Sequence, residues 1–189
     1  MKGISITAVG GPEVLEWVDL ADPTPGPKDL VVEVHAAGLN YIDTYHRSGL
    51  YPVPLPFTPG MEGAGVVVSA GPECVRFRVG DRVAWSANLG SYAELARVAE
   101  DSVVSVPAGV PLDLAAAVLL QGMTAHYLVT DTFRLGAGHK CLVHAGAGGT
   151  GLLLIQMAKH FGAEVFTTVG SAEKVALVAG LEATFAGGL

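Results

Sequence analysis

Gly146-Ala147-Gly148-Gly149-Thr150-Gly151 follows the pattern G-x-G-x-x-G. Glycines at this spacing suit a phosphate-binding turn, in which the first permits a tight bend, the second lets backbone approach a diphosphate, and the third lets a helix pack against the preceding strand. The first turn of that helix, Gly149-Thr150-Gly151, carries N–H groups without intrahelical partners, which then face the phosphates. The bare pattern fits a non-binding glycine-rich turn equally well, so its surroundings matter. Cys141-Leu142-Val143-His144 reads as a short buried strand before it. Gly149 to Phe161 reads as an apolar helix with Lys159 and His160 in its last turn and Gly162 as its stop, and Glu164 to Val169 as a second strand. Strand, glycine turn, helix and strand make a βαβ unit, the setting a dinucleotide site requires.

The tip of the second strand carries Gly170-Ser171-Ala172-Glu173-Lys174. A site selective for a free ribose 2′-hydroxyl places a carboxylate there, and this tip has none. A 2′-phosphate is therefore not repelled, Ser171 can donate to it, and Lys174 can neutralise it, which points to NADPH rather than NADH. The alternative is that Ser171 only caps the next helix and Lys174 is a solvated side chain.

Upstream, Val31 to Val34, Gly63 to Val68 and Asp81 to Trp85 are strand-like runs separated by Pro and Gly, which reads as a β-rich barrel or sandwich. Pro52 to Pro59 reads as an extended loop. Leu112 to Leu120 reads as a helix starting after Pro111, and Met123 to Thr132 as a second one. The domain change falls between them, giving residues 1–122 and 123–189. The fold class is α/β, a β-rich domain followed by part of a doubly wound parallel sheet.

A formal net charge of -7 argues against a nucleic-acid partner. The longest apolar run read from the sequence falls short of the roughly 20 residues a membrane span needs, so no membrane partner is expected. The N-terminus lacks the apolar core of a secretory signal, and two cysteines make no disulfide framework. The expected location is cytoplasmic.

Asn40-Tyr41-Ile42-Asp43-Thr44-Tyr45-His46-Arg47-Ser48-Gly49-Leu50-Tyr51-Pro52 resembles the NxxDxxxRxGxYP segment of the zinc-independent quinone oxidoreductases. These form the zeta-crystallin-like branch of the medium-chain dehydrogenase/reductase superfamily. Gly10-Gly11-Pro12-Glu13-Val14-Leu15, Pro59 to Gly65, Val79 to Val83, Gly122-Met123-Thr124-Ala125 and the glycine motif extend the resemblance, in order, over nearly the whole chain. It implies a GroES-like N-terminal domain followed by a partial Rossmann domain.

The resemblance also implies the chemistry. Zinc alcohol dehydrogenases of the superfamily carry Cys where this chain has Asn40 and His where it has Met61, and neither Asn nor Met supplies a ligand that a catalytic zinc requires. No metal is expected. The implied activity is transfer of reducing equivalents from NADPH to a quinone or related enone, a small electrophilic carbonyl. By resemblance Asn40, Asp43 and Tyr45 line the nicotinamide and substrate side, Arg47 and Tyr51 shape the cleft, and Thr124 lies near the cofactor. From the residues alone, Asp43 and Arg47 fit a loop salt bridge equally well, and Tyr45 and Tyr51 fit packing aromatics. The family continues well past Leu189, so a C-terminally truncated chain is expected, with two strands in its second sheet and an apolar sheet edge that a homo-oligomer would cover. Two other readings stay open: a non-catalytic remnant acting as a cofactor-binding or interaction module, and alcohol dehydrogenase-like activity.

Overall fold

A computed structural model describes residues 1–187, the last three by backbone alone. Gly188 and Leu189, where truncation is expected, lie outside the described residues. The chain divides into two compact units, Met1–Leu120 and Gln121–Leu189, each with its own core.

In the first unit β1 (Lys2–Ser5) and β2 (Glu16–Asp19) form an antiparallel pair. The main sheet is built on β3 (Asp29–Gly38), which pairs with β4 (Glu62–Ala70) and β6 (Leu95–Ala99). β5 (Arg82–Ser86) joins β4 to β7 (Val103–Ser105), so the antiparallel order is β6-β3-β4-β5-β7. Leu30, Val32, Val67, Val83, Trp85 and Val98 are all fully buried in one cluster. Each contributes about 1.5–3 kcal/mol of burial relative to exposure, which makes this sheet a firm platform. The small residues at the start of β4 have a packing cause: a side chain at Gly63 would enter the Trp85 ring, and one at Gly65 would strike the backbone of Glu33.

The segment that carries Asp43 and Arg47, for which a loop salt bridge was one reading, is helical, α1 (Tyr41–Ser48), stopped by Gly49 in the left-handed region at φ 78°. Glycine tolerates that conformation without strain. The two helices expected between Leu112 and Thr132 are one. α2 (Leu112–Tyr127) runs on into a π-helical turn, Leu128–Thr132. A single internal glycine, Gly122, costs a helix about 1 kcal/mol, less than leaving two extra sets of terminal N–H and C=O groups unpaired. The continuous helix is 21 residues and contains an 18-residue stretch with a mean hydropathy of 1.3, so by length and composition alone it is long and apolar enough to cross a membrane, which neither of the two shorter helices read from the sequence is. Ala115 and Ala116 of this helix pack against Ala64, Ala84 and Val106 of the first unit.

The second unit holds three parallel strands, β8 (Lys140–Val143), β9 (Glu164–Thr168) and β10 (Thr184–Gly187), in the order β10-β9-β8. Two strands were expected. The third is only four residues long and its last residue is glycine, so its pattern is too short to stand out in sequence. α3 (Gly149–His160) and α4 (Ala172–Ala179) connect the strands. Val143, Ile155, Ala158, Val165 and Val178 make the shared core.

Candidate functional site

The glycine turn leaves the carboxyl end of β8 and enters α3, with Gly148 as the helix N-cap. Three of its glycines are explained by packing. A side chain on Gly146 would overlap Thr167 Oγ1, itself donating to the Val143 carbonyl at 2.8 Å. One on Gly149 would enter the Gln121 side chain, and one on Gly151 would meet the Ala145 carbonyl oxygen and come within 2.7 Å of Gly146 Cα. The left-handed conformation of the turn is carried by Ala145 at φ 53°, so Gly146 serves close approach rather than an unusual dihedral. Gly148 differs. It is exposed, and its added Cβ meets only the Ala145 carbonyl oxygen, at 3.2 Å. Internal packing therefore leaves its lack of a side chain largely unexplained, whereas close approach of a ligand to its backbone explains it. Thr150 takes the second helical position, where backbone donors have no intrahelical acceptor.

β9 is bound to this turn. Gly146 N–H donates to the Thr168 carbonyl at 3.0 Å, and Ala145 N–H to Thr168 Oγ1 at 3.3 Å. With Val143 in register with Thr167, both strands release their following segments at the same end of the sheet. Gly170, Ser171 and Lys174 thus leave from the end that holds the glycine turn. Ser171 is the N-cap of α4, yet its side chain makes no capping bond. Its hydroxyl is exposed, as is Lys174, which forms no ion pair among the described residues. These groups suit a phosphate: hydroxyl donor, cation, and no carboxylate at the strand tip. Thr124 lies on α2 three residues beyond Gln121, on the same helix face as the side chain that meets Gly149.

In the first unit, Asn40 and Asp43 come together with two further groups. Asn40 is the N-cap of α1, and its backbone N–H donates to Asp43 Oδ2 at 2.9 Å, one arm of a capping box. Asn40 Nδ2 donates to Glu62 Oε2 at 2.8 Å, and the Leu120 N–H donates to Glu62 Oε1 at 2.6 Å. Glu62 is fully buried. Tyr92 donates its hydroxyl proton to Asp43 Oδ2 at 2.8 Å. Burial pushes the Tyr92 phenol well above its ordinary range, and the Asp43 hydrogen bond and nearby negative charges add to this. It remains a proton donor at neutral pH. The loop salt bridge considered for Asp43 and Arg47 does not form: Asp43 bonds to Asn40 and Tyr92, while Arg47 Nε is buried without a partner.

Tyr45 and Tyr51 form a separate aromatic group, edge to face with centroids 5.2 Å apart, and Tyr41 lies 5.9 Å from Tyr45. Tyr51 N–H donates to the Tyr45 carbonyl at 3.1 Å, fastening the following loop to α1. Arg47 accepts from the Gly10 N–H through its carbonyl, so its backbone holds the Gly10-Gly11 turn. Among the described residues, no group of three His, Cys, Asp or Glu is placed to hold a metal ion.

The pattern of the alcohol dehydrogenase GroES-like domain matches residues 26–132, more than half of the chain. The chain belongs to that family. The GroES-like match covers most of the first unit and all of α2. Similar proteins include a quinone oxidoreductase of Pseudomonas aeruginosa, 49% identical over 178 residues, and quinone oxidoreductase 1 of Escherichia coli, 42% identical over 167. These alignments cover 93% and 87% of this chain but 55% and 51% of the relatives, so the chain spans about half the length of the curated relatives it matches. The crystal structure of the Escherichia coli quinone oxidoreductase complexed with NADPH superposes with a TM-score of 0.95 at 37% identity, covering 100% of this chain and 58% of that one. These neighbours place the fold among the medium-chain dehydrogenase/reductases: a GroES-like N-terminal domain with a partial Rossmann-like unit.

Two members of the polar group were not selected from sequence as site residues. Glu62 carried a signal, since a carboxylate within Gly60-Met61-Glu62-Gly63-Ala64-Gly65 needs buried partners. Tyr92 carried none, because nothing local foretells that it meets Asp43 across 49 residues.

Proposed function

We propose that this chain carries out metal-independent transfer of reducing equivalents from NADPH to a quinone or related enone. The observation that carries the reading is Gly148: exposed, at the N-cap of α3, and small for a reason that packing leaves largely open. In this reading residues 123–189 form the NADPH-binding part and residues 1–122 the substrate part. Gly146, Gly148, Gly149, Thr150 and Gly151 form the pyrophosphate seat: the N–H groups of Gly146 and Gly148 are held by the Thr168 and Ala145 carbonyls and shape the turn, while the first-turn donors of α3 at Gly149, Thr150 and Gly151 serve the anion. Gly170, Ser171 and Lys174 receive the 2′-phosphate, supported by a Ser171 hydroxyl that makes no capping bond and a Lys174 ammonium in no ion pair among the described residues. NADPH bound there supplies the reducing equivalents from nicotinamide C4.

Asn40, Asp43, Tyr45, Arg47, Tyr51 and Thr124 bind and orient, so the rate gain comes from placement. The metal-free reading rests on Asn40 and Met61 standing where zinc enzymes of the superfamily carry Cys and His. The Asn40 amide, moreover, points its NH2 donor at Glu62, and a donor is no metal ligand. The reading favours a cytoplasmic protein acting on a small quinone, with neither nucleic acid nor membrane as partner.

A homo-oligomer is the arrangement we favour for the edge of β8. That strand pairs only with β9 among the described residues, and Leu142 and Phe133 beside it are 53% and 60% exposed. The same open edge favours the second reading, a non-catalytic module that associates through its sheet. Titration of the purified chain with NADPH and NADH tests the cofactor assignment. Binding of NADPH at least about tenfold tighter than NADH is expected, since one phosphate contact to Lys174 is worth about 1.4 kcal/mol or more. Equal affinities would remove the roles given to Ser171 and Lys174.

A further inference from the structure

The carboxylate of Glu62 sits in a built recess of the first unit. It is fully buried, and its two oxygens take N–H donors from different elements: Asn40 Nδ2 at the start of α1 and the Leu120 backbone in α2. Gly38, at the end of β3, makes the room, because a Cβ there would overlap Glu62 Oε2 and the Ala116 carbonyl oxygen. Neither oxygen is replaceable by an amide group, since both face donors. We propose that Glu62 is a positioning residue for the reduction: an obligatory double acceptor that fixes which end of the Asn40 amide faces the nicotinamide.

The logic is chemical. A primary amide can turn over end for end at little cost in shape, exchanging donor for acceptor. A carboxylate that only accepts removes that freedom, because the flipped amide would set oxygen against oxygen. Asn40 is held a second time through its backbone N–H on Asp43, which Tyr92 in turn fixes. The side chain is thereby limited to one orientation at a fixed backbone position. The inference rests on the reading of Asn40 as a nicotinamide-facing group.

The test compares Glu62→Gln, Asn40→Ala and the double variant in the full chain. Gln supplies one acceptor and one donor, so one of the two N–H groups is left facing an N–H. In steady-state NADPH oxidation with p-benzoquinone, Glu62→Gln is expected to lower kcat about tenfold with little change in quinone KM. The double variant should lose no more than Asn40→Ala alone, because Glu62 acts through Asn40. Fully additive losses would overturn the proposal.

An activity-independent arm follows the Asn40 side-chain NH2 resonances by NMR. Their hydrogen exchange should be slow in the parent chain and at least about tenfold faster in Glu62→Gln. Unchanged exchange would overturn the clamp even if NADPH oxidation is normal. Rapid exchange only in the variant supports it even if the parent chain shows no turnover, an outcome that would refute the proposed function alone. Should the Gln variant not fold, Glu62→Asp keeps the charge with a shorter reach. It is expected to show the same faster exchange, and parent-like exchange would count against the proposal.

Discussion

Replacing Gly148 by Ala separates binding from packing at the glycine turn. Gly148 has φ -80° and ψ 164°, extended backbone that any residue adopts. The new methyl meets one atom, the Ala145 carbonyl oxygen at 3.2 Å, which must give slightly. Against that contact, and against the poorer N-cap preference of Ala relative to Gly, stands a gain of about 0.4–1 kcal/mol from the narrower unfolded ensemble. The two offset, so the melting temperature should stay within about 2 °C of the parent. If the proposed seat is right, binding should suffer much more, because the methyl would occupy the surface offered to the pyrophosphate. Loss of one charge-assisted N–H bond, about 1.5–3 kcal/mol, weakens NADPH roughly ten- to hundredfold.

Gly151→Ala is the contrasting control. Its Cβ would meet the Ala145 carbonyl oxygen and lie 2.7 and 3.0 Å from Gly146 Cα and C, and none of these backbone atoms can rotate aside. A loss of about 1–3 kcal/mol is expected, with melting lowered by about 2–4 °C for each. Differential scanning fluorimetry and NADPH titration read the two effects separately. Unchanged NADPH affinity in a folded Gly148→Ala protein would refute the reasoning, as would a destabilisation equal to that of Gly151→Ala.

Lys174→Glu should weaken NADPH by tenfold or more while leaving NADH within about twofold, measured by paired titrations. Tyr92→Phe removes the proton donor from a buried carboxylate whose Oδ1 already lacks a partner, and should cost about 1–3 kcal/mol in urea denaturation. Because the folded-state pKa of Tyr92 is raised, its contribution is complete below the unfolded phenol value of about 10 and is lost as pH rises toward the folded value. An ultraviolet titration should therefore show this tyrosine ionising only with unfolding. Burial pushes the Glu100 carboxyl up, but N–H donors from Arg76, Val75 and Phe77 outweigh it, so its pKa ends lowered. Its contribution is present above the unfolded value and is lost as pH falls through the lowered one, so Glu100→Gln should flatten the acid limb of a melting-temperature profile.

The βαβ unit was legible because its signals are local: a strand, glycines at fixed spacing, and an apolar helix ended by Gly162. Where the signal was short or ambiguous, reading failed. β10 is four residues at an edge, and the sequence was divided around Gln121-Gly122 where the helix runs on unbroken. The Asn40 to Tyr51 segment was recognised from its residue types, but its helical form was not. α1 depends on a box between Asn40 and Asp43 that is visible in sequence only after a helix start is assumed. Gly38, Glu62 and Tyr92 join the site through contacts between distant segments, and no local pattern encodes those.

The most direct test of metal-free NADPH oxidation is a steady-state assay of the purified chain with p-benzoquinone after exhaustive chelation, with metal content measured on the same sample. Turnover should survive the loss of metal, and NADH should support it poorly. Activity that vanishes on chelation and returns with zinc would contradict this, as would a chain that binds NADPH yet never oxidises it.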